Sequence, residues 1–219
     1  MKRSELPLYK DLEKTEKEIL KRIARQYGWR QSDYIEWRIE SGYFICLDVG
    51  LYGYVLREIE LTIKPLYIDD LWWDVFNLSE NKKRPKSLRG LGAFAVSAPQ
   101  IAKYEVLNPD KALEYSPEAI ESILQDLFLR IDKDISVFLT KNPDPELFCP
   151  EDGGEYGRIS PIYTLTMDLH AGRYSRVIDR IRDYNNKGIS SGICSVDSST
   201  MTERDAFDFF LEWCHRHQV

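Results

Sequence analysis

The chain has 219 residues, of which 43% are hydrophobic and 30% charged, so it is long enough to enclose a substantial apolar core. Its net charge of −6 argues against general binding to a nucleic-acid backbone, which requires clustered positive charge. No apolar run approaches the roughly 20 residues of a membrane span, and the first residues do not resemble a secretory signal. The four cysteines are scattered without a CxxC pair, which indicates free thiols. We therefore expect a cytoplasmic protein that binds neither nucleic acid nor membrane.

An amphipathic helix is predicted over residues 8–27, where apolar residues recur at steps of three and four positions. Gly28 follows it, as glycine commonly follows the last helical residue. Residues 33–64 then indicate three strands, because apolar and polar side chains alternate with a period of two. Short glycine-bearing turns at 40–42 and 50–53 connect these strands, so the pattern predicts an antiparallel meander.

The alternation assigns an apolar and a polar face to this meander. The polar face is predicted to carry five acidic and two basic side chains, a net charge of −3: Glu36, Glu40, Asp48, Glu58 and Glu60 against Arg38 and Lys64. A solvated sheet face with cross-strand ion pairs accounts for this pattern. The alternative is an acidic docking surface for a basic protein partner.

Residues 69–74 form an unusual hexamer that contains two adjacent tryptophans, Trp72 and Trp73. A short helix is predicted here, with Asp69 or Asp70 as its N-cap. We expect at least one indole to be partly exposed, because neighbours on a regular element do not face one core. A tryptophan lying flat over the sheet edge or under a loop is one interpretation. The other is an aromatic anchor in a binding site.

The middle of the chain is predicted to extend the sheet and then to cover it. Residues 77–88 are polar and basic, which indicates a flexible loop. Residues 90–96 suit a further strand, and residues 101–107 suit a strand at the sheet edge. A long helix is then predicted from Ser116 to about Leu139, because an N-cap serine and a proline precede a continuous apolar stripe. This helix is expected to lie across the apolar face.

The C-terminal residues are predicted to be helical. Ser160 and Pro161 begin a helical hairpin that turns at Gly172. Residues 188–199 are small and polar, which indicates a loop. A last helix is expected to start at Thr202, whose spacing from Asp205 resembles a capping box.

Together these elements predict an α+β fold, an antiparallel meander sheet with helices packed on one face and a C-terminal helical part. We expect residues 1–145 to form the α+β domain and residues 146–219 to pack on the same core. The helix that leads through Gly28 and Trp29 into the aromatic strand at 44–51 resembles bacterial α+β families of unknown function. Some small acidic proteins of that kind serve as immunity or partner-binding proteins, so the resemblance implies partner binding. It assigns no functional residue.

The sequence contains no strong catalytic, cofactor or metal motif. His215 and His217 are two positions apart, so they do not share a helix face as joint metal ligands would. The acidic residues at 144–155 lack the spacing of a calcium-binding loop. We therefore expect no metal and no cofactor.

These observations favour a non-catalytic cytoplasmic binding protein, immunity-like in role, which docks a basic protein partner. The candidate binding residues are Glu58, Glu60, Trp72 and Trp73. The alternative is an enzyme whose pocket gathers scattered carboxylates and tyrosines, and its candidate residues are Asp48, Tyr52 and Asp74.

Overall fold

The computed structural model describes residues 6–32, 35–52, 54–90, 95–150, 153–157, 159–197 and 202–217. Its contacts divide the chain into two compact units. The first consists of Met1–Pro65 and Pro99–Phe148, and the second of Leu66–Ala98 and Cys149–Val219. The expected division at 145/146 leaves residues 66–98 with the sheet, whereas the contacts group them with the C-terminal residues. The fold is α+β, as the succession of strands and helices predicted.

The first unit contains a five-stranded antiparallel sheet with the strand order β1-β2-β3-β4-β5. Its strands are β1 (Arg30–Ser32), β2 (Ile35–Glu40), β3 (Tyr43–Tyr52), β4 (Val55–Pro65) and β5 (Gln100–Glu105). A two-residue turn joins β2 to β3, with Ser41 at φ 50° and Gly42 at φ 82°. The meander and the edge strand β5 confirm the prediction, and the short strand β1 is an addition to it.

The register of β2 corrects the predicted faces of the sheet. Residues that lie directly opposite each other in an antiparallel pair share a face. Glu36 lies opposite Leu47 and Arg38 opposite Ile45, so these charged side chains join the apolar face of β3. Glu36 is buried there, and Lys64 on the other face is buried as well. The prediction that both are solvated is therefore wrong. Glu36 is buried because β2 alternates out of phase with β3 and β4, whereas Lys64 lies on its predicted face but is enclosed there beside the Phe44 ring.

Two helices of the first unit, α1 (Leu6–Gln26) and α3 (Pro117–Lys141), pack on the apolar face of the sheet. Helix α3 begins as predicted, since the Ser116 hydroxyl accepts a hydrogen bond from the Ala119 N–H at 3.2 Å. The stripe that follows is buried, and Leu127 and Phe128 are fully enclosed. An ion pair at 2.9 Å joins Arg38 on β2 to Asp132 on α3. The helix-on-sheet packing is thereby confirmed.

The second unit contains four helices among its described residues. They are α2 (Leu66–Val75), α4 (Pro161–His170), α5 (Tyr174–Asn186) and α6 (Ala206–His217). The hairpin α4–α5 follows the prediction. No helix in the described part of the chain combines the length and apolar character that a membrane crossing requires.

Three segments of the second unit differ from the prediction. Two strands, β6 (Cys194–Asp197) and β7 (Thr202–Asp205), pair where a loop and a capping box were expected. Helix α6 begins later because the Asp205 carboxylate accepts a hydrogen bond from the Phe207 N–H at 2.9 Å. The basic segment after α2 forms short 3₁₀ turns at Ser79–Lys83 and Lys86–Gly90. The strand predicted at 90–96 falls largely on residues 91–94, which lie outside the described residues.

Candidate functional site

Both indoles of the tryptophan pair are buried, with exposed fractions of 2% for Trp72 and 1% for Trp73. The expectation that one of them is exposed is therefore wrong. Helix α2 is covered on more than one side, because it contacts both α4 and α6. The Trp72 ring packs against Phe210 of α6 at 6.1 Å between centroids, while the Arg89 guanidinium lies 4.8 Å above the Trp73 ring. Neither indole is available as a surface anchor.

The carboxylates of the same hexamer enclose a buried arginine. Arg89 is 2% exposed, and one of its terminal nitrogens donates a hydrogen bond to Asp70 at 2.7 Å. The other donates to the Leu66 carbonyl at 2.7 Å and lies 3.6 Å from the Asp69 carboxylate. With Trp73 stacked beneath the guanidinium, the hexamer forms a structural lock between α2 and the segment that follows it.

The residues of the enzyme alternative gain no support from their positions. Asp48 belongs to β3 of the first unit, and Asp74 belongs to α2 of the second. Asp74 already accepts a hydrogen bond from Ser79 and pairs with Lys82. The side chain of Tyr52 lies outside the described part of the structure.

Glu58 and Glu60 lie on the sheet face opposite to the one that α1 and α3 cover. Both pair with the Lys103 ammonium, at 2.9 Å and 3.0 Å. Asp48 lies directly opposite Glu60, and partial burial followed by repulsion from Glu60 raises the pKa of Asp48. Glu36 and Glu40 lie on the other face, opposite Leu47 and Tyr43. The predicted acidic surface is therefore reduced to Asp48, Glu58 and Glu60, accompanied by Lys103.

A pocket of about 280 Å³ lies beside α1 and the first three strands of the sheet. Helix α1 supplies one wall, and β1, β2 and β3 supply the rest. The lining combines apolar, basic and acidic side chains: Lys17, Glu18, Leu20, Lys21, Gln31, Glu36, Val49 and Leu51. Only Glu36 among the pocket's charged residues is buried.

The Glu36 carboxyl titrates near neutral pH. Burial raises its pKa to about 7, while Lys21, Arg25 and a hydrogen bond with Gln31 lower it by smaller amounts. Gln31 lies directly opposite Glu36 in the β1–β2 pair, which places the amide beside the carboxyl. The group is therefore present in both protonated and ionised forms at neutral pH, so it can donate or accept a hydrogen bond in the pocket.

A second buried carboxyl, Glu16, lies in α1 outside the pocket lining. It is 1% exposed, and its Oε2 atom accepts a hydrogen bond from the Leu56 N–H at 2.8 Å. Burial raises its pKa to about 7, the hydrogen bond lowers it and Glu13 raises it further. The sequence held a signal for this group, because Glu16 falls on the apolar stripe between Leu12 and Ile19.

Among the described residues, no group of three or more His, Cys, Asp or Glu side chains is placed to hold a metal ion. No protein-family model, curated protein or solved structure matches the chain significantly. The resemblance to bacterial α+β families therefore stays a prediction.

Proposed function

We propose that this protein is a non-catalytic, immunity-like binding protein that docks an extended segment of a protein partner. The segment lies along β1 and places one side chain in the Glu36 pocket. The pocket carries this proposal, because it combines apolar walls with a buried carboxyl whose pKa of about 7 is far from its ordinary value.

The position of β1 supports an extended ligand. Within the described residues, β1 has a sheet neighbour on one side only, which is β2. The open side of an edge strand presents backbone groups that can pair with a strand from another chain. Gln31 belongs to β1 and also lines the pocket, so a segment paired with β1 would pass the pocket entrance.

The size of the pocket favours a single side chain over a larger molecule. Its volume of about 280 Å³ falls just below the range of roughly 300–1,000 Å³ that is usual for small-molecule sites. Leu20, Val49 and Leu51 offer apolar contact, and Glu36 offers one hydrogen bond. We infer that a neutral side chain with a polar tip occupies it.

The predicted basic character of the partner is supported by a different surface. Lys17 and Lys21 line the pocket and disfavour a cationic side chain there. Glu58, Glu60 and Asp48 would instead attract basic residues of the partner from solution. A cytoplasmic location is part of the same proposal, and the four free cysteines are compatible with a reducing compartment.

Peptide selection tests the proposal. Random peptides of extended composition are selected by phage display on the native protein, and the affinity of each selected peptide is measured by calorimetry. Val49→Phe fills the pocket and is expected to weaken binding about tenfold or more. Leu129→Phe is the matched control and should leave affinity unchanged, because Leu129 is 60% exposed on α3. Equal affinity for native protein and Val49→Phe would show that the pocket is not used.

One observation favours an enzyme as the second candidate. A carboxyl with a pKa of about 7 is poised for general acid–base work at neutral pH. Under that alternative, Glu36→Gln should abolish turnover of a bound substrate while binding persists. Under the binding proposal, the same variant should change the affinity and the number of protons exchanged on binding.

A further inference from the structure

The α4–α5 hairpin gathers three arginines around one buried carboxylate. Asp168 of α4 is 2% exposed. The Nε atom of Arg173 donates a hydrogen bond to Asp168 Oδ1 at 2.8 Å. The Nε atoms of Arg180 and Arg176 lie 3.0 Å and 3.5 Å from Oδ2. The arginine side chains themselves remain accessible, with exposed fractions of 42% for Arg173, 54% for Arg176 and 30% for Arg180.

This cluster holds more positive charge than the buried carboxylate requires. One well-placed cation compensates a buried carboxylate, so three arginines leave an excess of two charges. The other acidic residues of α5 do not offset this excess, because they pair elsewhere on the helix surface. Asp179 pairs with Arg182 at 3.1 Å, and Asp183 pairs with Lys187 at 2.7 Å.

The location of the cluster raises its positive potential further. Arg173 is the N-cap residue of α5 and Arg176 lies in its first turn, where the helix dipole is positive. No side chain caps this end, and its first turn contains no acidic residue. Two arginines at an uncapped N-terminus are unfavourable unless negative charge offsets them, and Asp168 supplies only one such charge. The arrangement therefore suits a further bound anion.

The three guanidinium groups retain donors that such a ligand could use. Each approaches Asp168 through Nε, and the terminal Nη atoms make no hydrogen bond within the part of the chain that the structure describes. Guanidinium forks pair with phosphate oxygens in a bidentate manner, more strongly than with neutral acceptors. We propose that Arg173, Arg176 and Arg180, held by Asp168, bind the dianionic group of a phosphate monoester. Its two negative charges match the local excess.

Titration of the full chain with inorganic phosphate tests this site. The ¹⁵N-edited spectra of the arginine Nε–H groups report binding, and sodium chloride keeps the ionic strength constant. We expect saturable shifts at Arg173, Arg176 and Arg180 and none at Arg182. Acetate, which carries one charge, should bind more weakly. A concentration of about 20 mM phosphate lies well above the dissociation constant expected for a paired dianion. The absence of saturable shifts up to that concentration would overturn the proposal.

Two variants separate a ligand site from simple neutralisation of Asp168. Arg176→Gln removes the arginine farthest from the carboxylate and should lower phosphate affinity about tenfold, with the fold retained. Arg182→Gln removes an arginine from the same helix and should leave affinity unchanged. Equal affinity in Arg176→Gln and the native protein would refute the site.

The same assay distinguishes the two sources of a phosphate monoester. Glycerol phosphate represents free small molecules, and a phosphoserine tripeptide represents a modified protein. Binding tighter than that of inorganic phosphate identifies the source and supports the proposal. If both esters bind more weakly than acetate, a phosphate monoester is not the ligand.

Discussion

Replacing Glu16 with Gln is expected to change the pH dependence of stability. Glu16 belongs to α1, where its carboxyl is buried and accepts a hydrogen bond from the Leu56 N–H. Burial raises its pKa from 4.5 to about 7, although that hydrogen bond opposes the increase. The folded protein therefore holds this proton more tightly than the unfolded chain. The resulting stability is complete below pH 4.5 and is lost as the pH rises through 7.

The magnitude follows from the two pKa values. Their difference corresponds to about 3 kcal/mol of unfolding free energy between acidic and alkaline pH. Glu16→Gln retains a carbonyl oxygen for the Leu56 N–H and removes the ionisation. Relative to the native protein, the variant should gain about 3 kcal/mol between pH 4 and pH 8.5. Burying the amide has a cost that does not depend on pH, so it would shift the unfolding free energy equally at every pH. The test is therefore the change of the free-energy difference with pH.

Urea unfolding at pH steps across this range measures the effect. Subtracting the native protein's unfolding free energy at each pH cancels the contribution of every other titrating group. Glu18→Gln is the control, because Glu18 lies on the same helix with its side chain exposed. If the Glu16→Gln difference is the same in acid and in alkali, the raised pKa assigned to the buried Glu16 carboxyl is refuted.

Four further predictions concern packing and thiols. Leu127→Ala should lower the unfolding free energy in urea by roughly 2–5 kcal/mol, whereas Leu129→Ala on the exposed side of α3 should cost less than about 0.5 kcal/mol. Arg89→Ala should cost roughly 3–5 kcal/mol, since it leaves the buried end of the hexamer without its cation, and a neutral result would exclude the proposed lock. Trp73→Ala should cost a similar amount, in contrast to the near-neutral effect of a surface anchor. Ellman's reagent should react quickly with two thiols of the native protein and with four after denaturation; the exposed cysteines are Cys149 and Cys194, and the buried ones are Cys46 and Cys214.

Helix α3 was predictable because several local signals agree. Ser116 caps it, Pro117 suits its first position, and the apolar stripe continues to Phe138. Each signal depends on residues within a few positions of one another. The two strands β6 and β7 were missed because each spans only four residues. The sequence of β7 is wholly polar, and the alternation of Cys194 and Val196 with polar neighbours in β6 is too short to distinguish it from a loop.

The faces of the sheet were predictable in principle, although alternation alone assigned them wrongly. Alternation defines two sides of one strand without relating them to the next strand. The two-residue turn supplies the missing relation, because it pairs Glu40 with Tyr43. Counting back from that pair places Glu36 opposite Leu47 and therefore on the covered face.

The tryptophan pair shows where local reasoning is insufficient. Adjacent positions on α2 diverge by about 100°, so the argument for one exposed indole holds for a helix that is covered on one side. Trp73 is buried because Arg89, 16 residues later in the chain, lies over its ring. Nothing within the hexamer identifies that arginine. Burial of a second face depends on contacts that are distant in sequence.

The two buried glutamates are expected to have different effects, Glu16 on folding stability and Glu36 on ligand binding. Glu16 and Glu36 have the same pKa of about 7, and burial is the main cause for both. Glu36 lines the pocket beside α1 and Glu16 does not, so a ligand in that pocket would change the ionisation of Glu36 by direct contact. If the pocket binds a partner, Glu36→Gln should alter proton exchange on binding, whereas Glu16→Gln should alter stability alone. Since both variants remove one buried charge, a change in binding that is confined to Glu36→Gln cannot be attributed to stability.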